Sequence, residues 1–130
     1  MSLGACPCGR SDAKGRALPL ADCCAPLHQG QPPPDAERLM RSRYSAFVLG
    51  LTDYLLATWH PNTRPDSMAL ESGAHWLGLA IKDHRPTGTD SAEVTLVARF
   101  RVNGRAVRQH ERSRFVREGG RWLYVDGDVR

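Results

Sequence analysis

Four cysteines stand in two tight pairs, Cys6-Pro7-Cys8 and Cys23-Cys24, and no other cysteine follows in the 130-residue chain. This pattern fixes more about the N-terminal segment than any hydrophobic repeat. Two close pairs separated by a loop present four soft ligands to one ion, and zinc prefers such a set as a tetrahedron of thiolates at about 2.3 Å. Pro7 narrows the backbone between the first pair. Cys23 and Cys24 are adjacent, so both bind one ion only where the chain bends sharply. Pro26 suits a helix start there. The pattern predicts a structural Zn²⁺ held by Cys6, Cys8, Cys23 and Cys24, with no open coordination position. Two alternatives stay open: buried or reactive thiols without metal, and His28 in place of one of the adjacent cysteines.

With 41% hydrophobic and 25% charged residues the composition is that of an ordinary globular domain. There is no apolar run of the roughly 18 residues that a membrane span needs, and no charged-then-apolar leader. A cytoplasmic location is therefore expected, and a reducing compartment favours metal over disulfides. The formal charge is +4. Four thiolates around Zn²⁺ bring it to about +2, which permits nucleic-acid binding without arguing for it.

The expected organisation is a zinc knuckle over residues 1–30 and an α+β domain over 31–130. The knuckle's loop, from Arg10 to Arg16, is basic and solvated. After the stiff spacer Gln31-Pro32-Pro33-Pro34, Asp35 caps a helix over 35–50. Leu39, Met40, Tyr44, Phe47, Val48 and Leu51 recur at helical spacing, and Arg43 falls inside that apolar stripe. Gly50 ends the helix. A second short helix runs from Thr52 or Asp53 to Trp59, and a third starts near Asp66 and runs through Met68 and Leu70 to Gly73.

Strand patterns follow. Residues 76–84 read as a weakly alternating strand. Over 92–102 Val94, Leu96, Ala98, Phe100 and Val102 alternate with polar residues. Asn103-Gly104 is a preferred two-residue hairpin loop, and Gly119-Gly120 makes a second one. The partner strands are 105–117 and 121–126. Two-residue loops fix the register. Phe100 then opposes Val107, Leu96 opposes Glu111, Phe115 opposes Tyr124 and Ser113 opposes Asp126.

That register puts Val94, Leu96, Ala98, Phe100, Val107, Phe115, Trp122 and Tyr124 on one face, with Gln109, Glu111 and Ser113 among them. The opposite face carries Arg99, Arg101, Arg108, Arg112 and Arg114. A carboxylate on the inner face needs a partner, and Arg43 is the expected one. A pocket lined by Arg43, Tyr54, Trp59, Trp76, Glu111 and Ser113 is the candidate ligand site. His60, His84 and His110 are expected to do no chemistry.

Several segments together are similar to a known family. Cys6-Pro7-Cys8-Gly9 with Cys23-Cys24 resembles the SEC-C zinc motif, named for the tail of the SecA translocation ATPase. The run from Leu39 to Phe47, Asp53-Tyr54-Leu55, Thr58-Trp59-His60-Pro61, Trp76-Leu77-Gly78-Leu79, Glu111 to Phe115 and Trp122 to Gly127 resemble the YchJ family of uncharacterised bacterial proteins. The resemblance implies a cone-shaped fold like nuclear transport factor two, with helices packed into a curved antiparallel sheet. It carries the four cysteines over as zinc ligands and brings no activity.

Three functional expectations follow. The first is a non-catalytic binding module that meets a protein partner through the knuckle. The second is a small-molecule binder or enzyme using the cone interior, with Glu111 as acid/base. The third is nucleic-acid binding through the arginine-rich outer face. Folds of the implied kind also pair through the sheet, so a homodimer is a further expectation.

Overall fold

In the computed structural model, residues 4–70 and 73–129 are described. A short 3₁₀ turn, Leu20–Asp22, and the one-turn helix α1, Ala25–His28, follow the first cysteine pair. Then come α2, Ala36–Leu49, and α3, Thr52–Ala57. The four strands are β1, His75–Gly88; β2, Ser91–Val102; β3, Arg105–Glu118; and β4, Arg121–Val129. They form one antiparallel sheet in chain order, each strand hydrogen-bonded to the next. Among the described residues, no helix is long and apolar enough to cross a membrane.

Local chemistry sets the element ends. Asp35 accepts a hydrogen bond from the Arg38 backbone N–H at 2.8 Å, the expected cap of α2. Gly50 closes the helix in the left-handed region. At the β2–β3 hairpin Asn103 and Gly104 both have positive φ, 52° and 77°, which matches the twist of the flanking strands.

Helix α2 is buried well beyond one stripe. Residues 42–46 are all buried, because the sheet covers one side of α2 while the knuckle and α3 cover the other. Leu39 and Tyr44 share one core with Val94, Leu96, Phe115 and Trp122, and the four cysteines belong to that same core. The knuckle is thus continuous with the domain's interior.

Four expectations are corrected. No third helix forms over 66–70; the remainder of that expectation, at 71–72, lies outside the described residues. Met68 and Leu70 are instead drawn into the wall of a cavity beside Phe47 and Trp76. Strand β1 runs past Pro86 to Gly88, because β1 is an edge strand and proline is tolerated on an edge. Ser113 opposes Gly127 rather than Asp126. The register shifts between Arg114 and Phe115, where Val125 is the extra residue of a β-bulge. Val107 lies near the β2–β3 turn and is 38% exposed, so it is not core.

Candidate metal centre

The two cysteine pairs arrive from different local structures. Cys6 and Cys8 flank a turn in which Gly9, at φ 77°, donates to the Cys6 carbonyl at 3.1 Å. The Cys6 backbone N–H donates to Leu18 at 2.8 Å, which closes the intervening loop. Cys23 ends the 3₁₀ turn, and Cys24 is the N-cap of α1 with Pro26 in the first helical turn. The sharp bend that adjacent ligands require is the junction of those two helical turns.

All four sulfurs lie within 4.8 Å of one another, and all four residues are buried. Cys8 and Cys23 Sγ are 3.6 Å apart, and Cys23 and Cys24 Sγ are 3.9 Å apart. A tetrahedral ion with bonds of about 2.3 Å holds its sulfurs about 3.8 Å apart. The cysteines are free of disulfides. His28 does not join them. Its Nε2 is 2.8 Å from the Ser42 carbonyl oxygen, and its ring stands edge-on to Tyr54.

The protonation chemistry of the group also fits a cation. Hydrogen bonds from Cys24 and Cys8 hold the Cys6 thiol well below its ordinary value. Hydrogen bonding to Cys6 pushes Cys24 far up. One thiolate is stabilised by its neighbours, and further ones are opposed by burial and by the first charge. A divalent ion among the sulfurs removes that conflict, since a coordinating thiol is deprotonated outright.

A second layer surrounds the sulfurs. Ser45 of α2, fully buried, places Oγ 3.3 Å from Cys24 Sγ and 3.4 Å from Cys6 Sγ. Arg10 donates from Nη1 to Cys23 Sγ at 3.6 Å. Arg41 donates to the Cys8 carbonyl at 2.9 Å, and Arg38 to the Cys23 carbonyl at 3.3 Å. These guanidinium groups would offset the negative charge of four metal-bound thiolates, and Arg38 and Arg41 tie the knuckle to α2. The α2 part of this layer, Ser45, Arg38 and Arg41, was not legible in the sequence, because α2 approaches the knuckle only in three dimensions. The basic loop is also partly used internally: Arg10 faces Cys23, and Arg16 pairs with Asp12 at 3.5 Å.

The sequence-derived pocket residues fall in two places. Arg43, 3% exposed, donates from Nη1 to the Leu55 carbonyl at 2.8 Å and to Thr58 Oγ1 at 2.7 Å. Its guanidinium lies over the rings of Tyr124 and Trp59, 4.6 and 5.3 Å from their centroids. Burial pulls Arg43 down to about 10. Tyr54 packs nearby, its hydroxyl 2.7 Å from Ser42 Oγ. Arg43 and Glu111 are not bonded to each other, which corrects the expected pair. The last turn of α3 offers the arginine unsatisfied carbonyls, and the arginine takes those first. The Glu111 carboxylate instead accepts from Ser113 Oγ at 2.6 Å and meets the Tyr124 hydroxyl at 3.4 Å.

Trp76 lies elsewhere, against Tyr44, Phe47 and Phe100. It lines a cavity of about 530 Å³ together with Phe47, Met68, Leu70, Phe100 and Gln109. Arg43, Tyr54, Trp59, Glu111 and Ser113 do not line it.

Comparisons with known proteins give a consistent result. The family model described as the middle, NTF2-like domain of YchJ matches residues 35–127. A UPF0225 protein of Polaromonas naphthalenivorans is 58% identical, over 95% of this chain and 96% of the relative. A UPF0225 protein of Bordetella parapertussis is 54% identical, over 99% and 96%. The crystal structure of a SEC-C motif containing protein from Psychrobacter arcticus superposes with a TM-score of 0.81 at 30% identity, covering 96% of this chain and 82% of that one. The solution structure of a SEC-C motif containing protein from Rhodopseudomonas palustris gives 0.80 at 31%, covering 96% and 98%.

Proposed function

The chain belongs to the YchJ family, and from that premise we propose that it is a zinc-stapled, non-catalytic binding module for a macromolecular partner. The observation that carries this reading is the buried set of four sulfurs within 4.8 Å of one another. Such a set has no open ligand position, so the ion acts on structure. Cys6, Cys8, Cys23 and Cys24 hold it, while Ser45 and Arg10 orient and compensate their sulfurs. The zinc clamps the knuckle onto α2 and keeps its exposed loop in one conformation, which lowers the entropy cost of meeting a partner.

Metal analysis of the purified chain tests the first half of the proposal. One zinc per chain is expected, with loss of stoichiometric metal in Cys8→Ser. A chain purified under metal-sparing conditions that carries no zinc ends the proposal. The second half is tested by affinity capture. A partner retained undiminished by Cys8→Ser counts against the knuckle as its docking element.

The 530 Å³ cavity favours a second reading, a small apolar ligand held among Phe47, Trp76 and Phe100 with Gln109 as its polar contact. Its size and lining are those of ligand sites in general. Quenching of Trp76 fluorescence by a panel of aromatic compounds tests it. Glu111 does not line that cavity, so this reading gives it no part as acid/base.

A further inference from the structure

The outer face of the sheet is divided by charge. Its cross-strand rows can be read from the register of β1, β2 and β3. Nearest the Asn103-Gly104 turn, His75, Arg101 and Ala106 form one row; next come Gly78, Arg99 and Arg108; then Ala80, Val97 and His110. No carboxylate stands in these three rows. Beyond them the acids begin. Arg85 pairs with Glu93, Arg112 with Asp128, and Arg114 with both Asp126 and Asp128. Arg117, further on, pairs with Asp90.

One half of the face is thus neutralised, and the other carries exposed arginines with no ion pair among the described residues. Arg99 and Arg108 stand directly opposite each other. Like charges in that position are destabilising, so the fold retains an unfavourable pair on a surface where any polar residue would serve. Arg99 is also placed by the strand beside it. A Cβ on Gly78 would lie 2.6 Å from an Arg99 guanidinium nitrogen, so the guanidinium rests where a side chain is missing. The exposed residues around the arginines are small or polar, and Val97 is only 4% exposed, which leaves the patch without an apolar anchor of the kind that dominates protein–protein interfaces. A second copy of the chain is also a poor occupant, since a two-fold contact centred here would bring the same arginines together.

We infer that Arg99, Arg101 and Arg108 form a docking surface for the phosphate backbone of a nucleic acid. Planar guanidinium forks bind phosphate bidentately, and backbone contacts need no apolar anchor. This goes beyond the knuckle reading: it assigns a second docking surface, on the sheet, and its partner class.

The test is fluorescence anisotropy with the zinc-loaded full chain and a labelled mixed-sequence single-stranded oligonucleotide across 50–200 mM salt. Three phosphate contacts predict a log K against log salt slope of about −2. Arg108→Gln should reduce the slope by about 0.7, and the triple Arg99→Gln, Arg101→Gln, Arg108→Gln should abolish binding. Arg112→Gln with Arg114→Gln, on the neutralised half, should bind within about twofold of the parent. The triple variant should melt no lower than the parent, because repulsion is relieved. No salt-dependent binding by the parent overturns the inference. So does equal loss in both multiple variants, or equal affinity for polyglutamate, which marks an acidic-protein surface. A zinc-bearing chain that captures a protein through its knuckle and ignores the oligonucleotide overturns this inference alone. A metal-free chain that binds the oligonucleotide overturns the zinc reading alone.

Discussion

The guanidinium of Arg43 lies 4.6 Å over the ring of Tyr124, and the hydroxyl at the far end of that ring meets Glu111 at 3.4 Å. Cation and carboxylate therefore share one aromatic residue instead of contacting each other. Arg43 is held mainly by the Leu55 carbonyl and Thr58. Removing it with Arg43→Met strands those acceptors and should cost about 1–3 kcal/mol. Arg43→Lys should recover little, because an ammonium lacks the planar fork and ring stacking. Tyr124→Phe removes only a long hydrogen bond and should cost less than either. Urea unfolding of the three variants checks this order.

All three tyrosines, Tyr44, Tyr54 and Tyr124, are pushed above the ordinary phenol value by burial, Tyr124 to about 12. Unfolded phenols release their protons near 10 while the folded ones keep theirs. The unfolded chain then binds fewer protons, so stability is full below pH 10 and falls as pH rises toward 12. Absorbance at 295 nm should stay flat through pH 10 and rise only as the chain unfolds. A titration completed near 10 with the fold intact would contradict the burial of these rings.

Chelation should release the N-terminal segment first, since metal binding and local folding are coupled. The cysteines share a core with Leu39 and Tyr44, so the effect should reach α2 and lower the melting temperature of the whole chain. Limited proteolysis with and without chelator checks the order, with cleavage between residues 9 and 30 expected before any in the sheet.

Ser45 touches two of the four sulfurs. Ser45→Ala should weaken zinc retention against a chromophoric chelator by about 10–100-fold, as losses of outer-layer partners do. Arg10→Gln should act in the same direction and less strongly, because its contact to Cys23 Sγ is long, at 3.6 Å. A variant that keeps parental retention removes that residue from the site.

Gly127 faces Ser113 across β3 and β4, and a Cβ there would collide with the Glu111 carboxylate. Gly127→Ala should displace Glu111 from Ser113 and destabilise by about 1–3 kcal/mol, the usual cost of overpacking. Glu111→Gln in the same background should recover none of it, because the clash is steric. Paired melting curves check both statements.

Much of this protein was readable residue by residue. Asp35 and Gly50 marked both ends of α2, because capping is local. Asn103-Gly104 and Gly119-Gly120 set the pairing of Phe100 with Val107 and of Phe115 with Tyr124, because a two-residue loop leaves no freedom of register. The reading failed where one extra residue at Val125 shifted the ladder. It failed again at the third helix, where Met68 and Leu70 line a cavity instead of forming turns. Spacing places Arg43 in an apolar stripe, but its partners come from α3, the residues just after it and β4, and sequence spacing carries no distance between elements.

By itself, the sequence determined the ends of α2, the register near each tight turn, and the four cysteines that cluster, since these depend on chemistry within a few residues. The tertiary structure decided which neighbours those groups meet: Ser45 beside the sulfurs, Tyr124 between Arg43 and Glu111, and acids on only half of the outer face. Those outcomes depend on how α2 packs between knuckle and sheet and on where one bulge bends β4, and packing between distant segments is resolved only when the whole core closes at once.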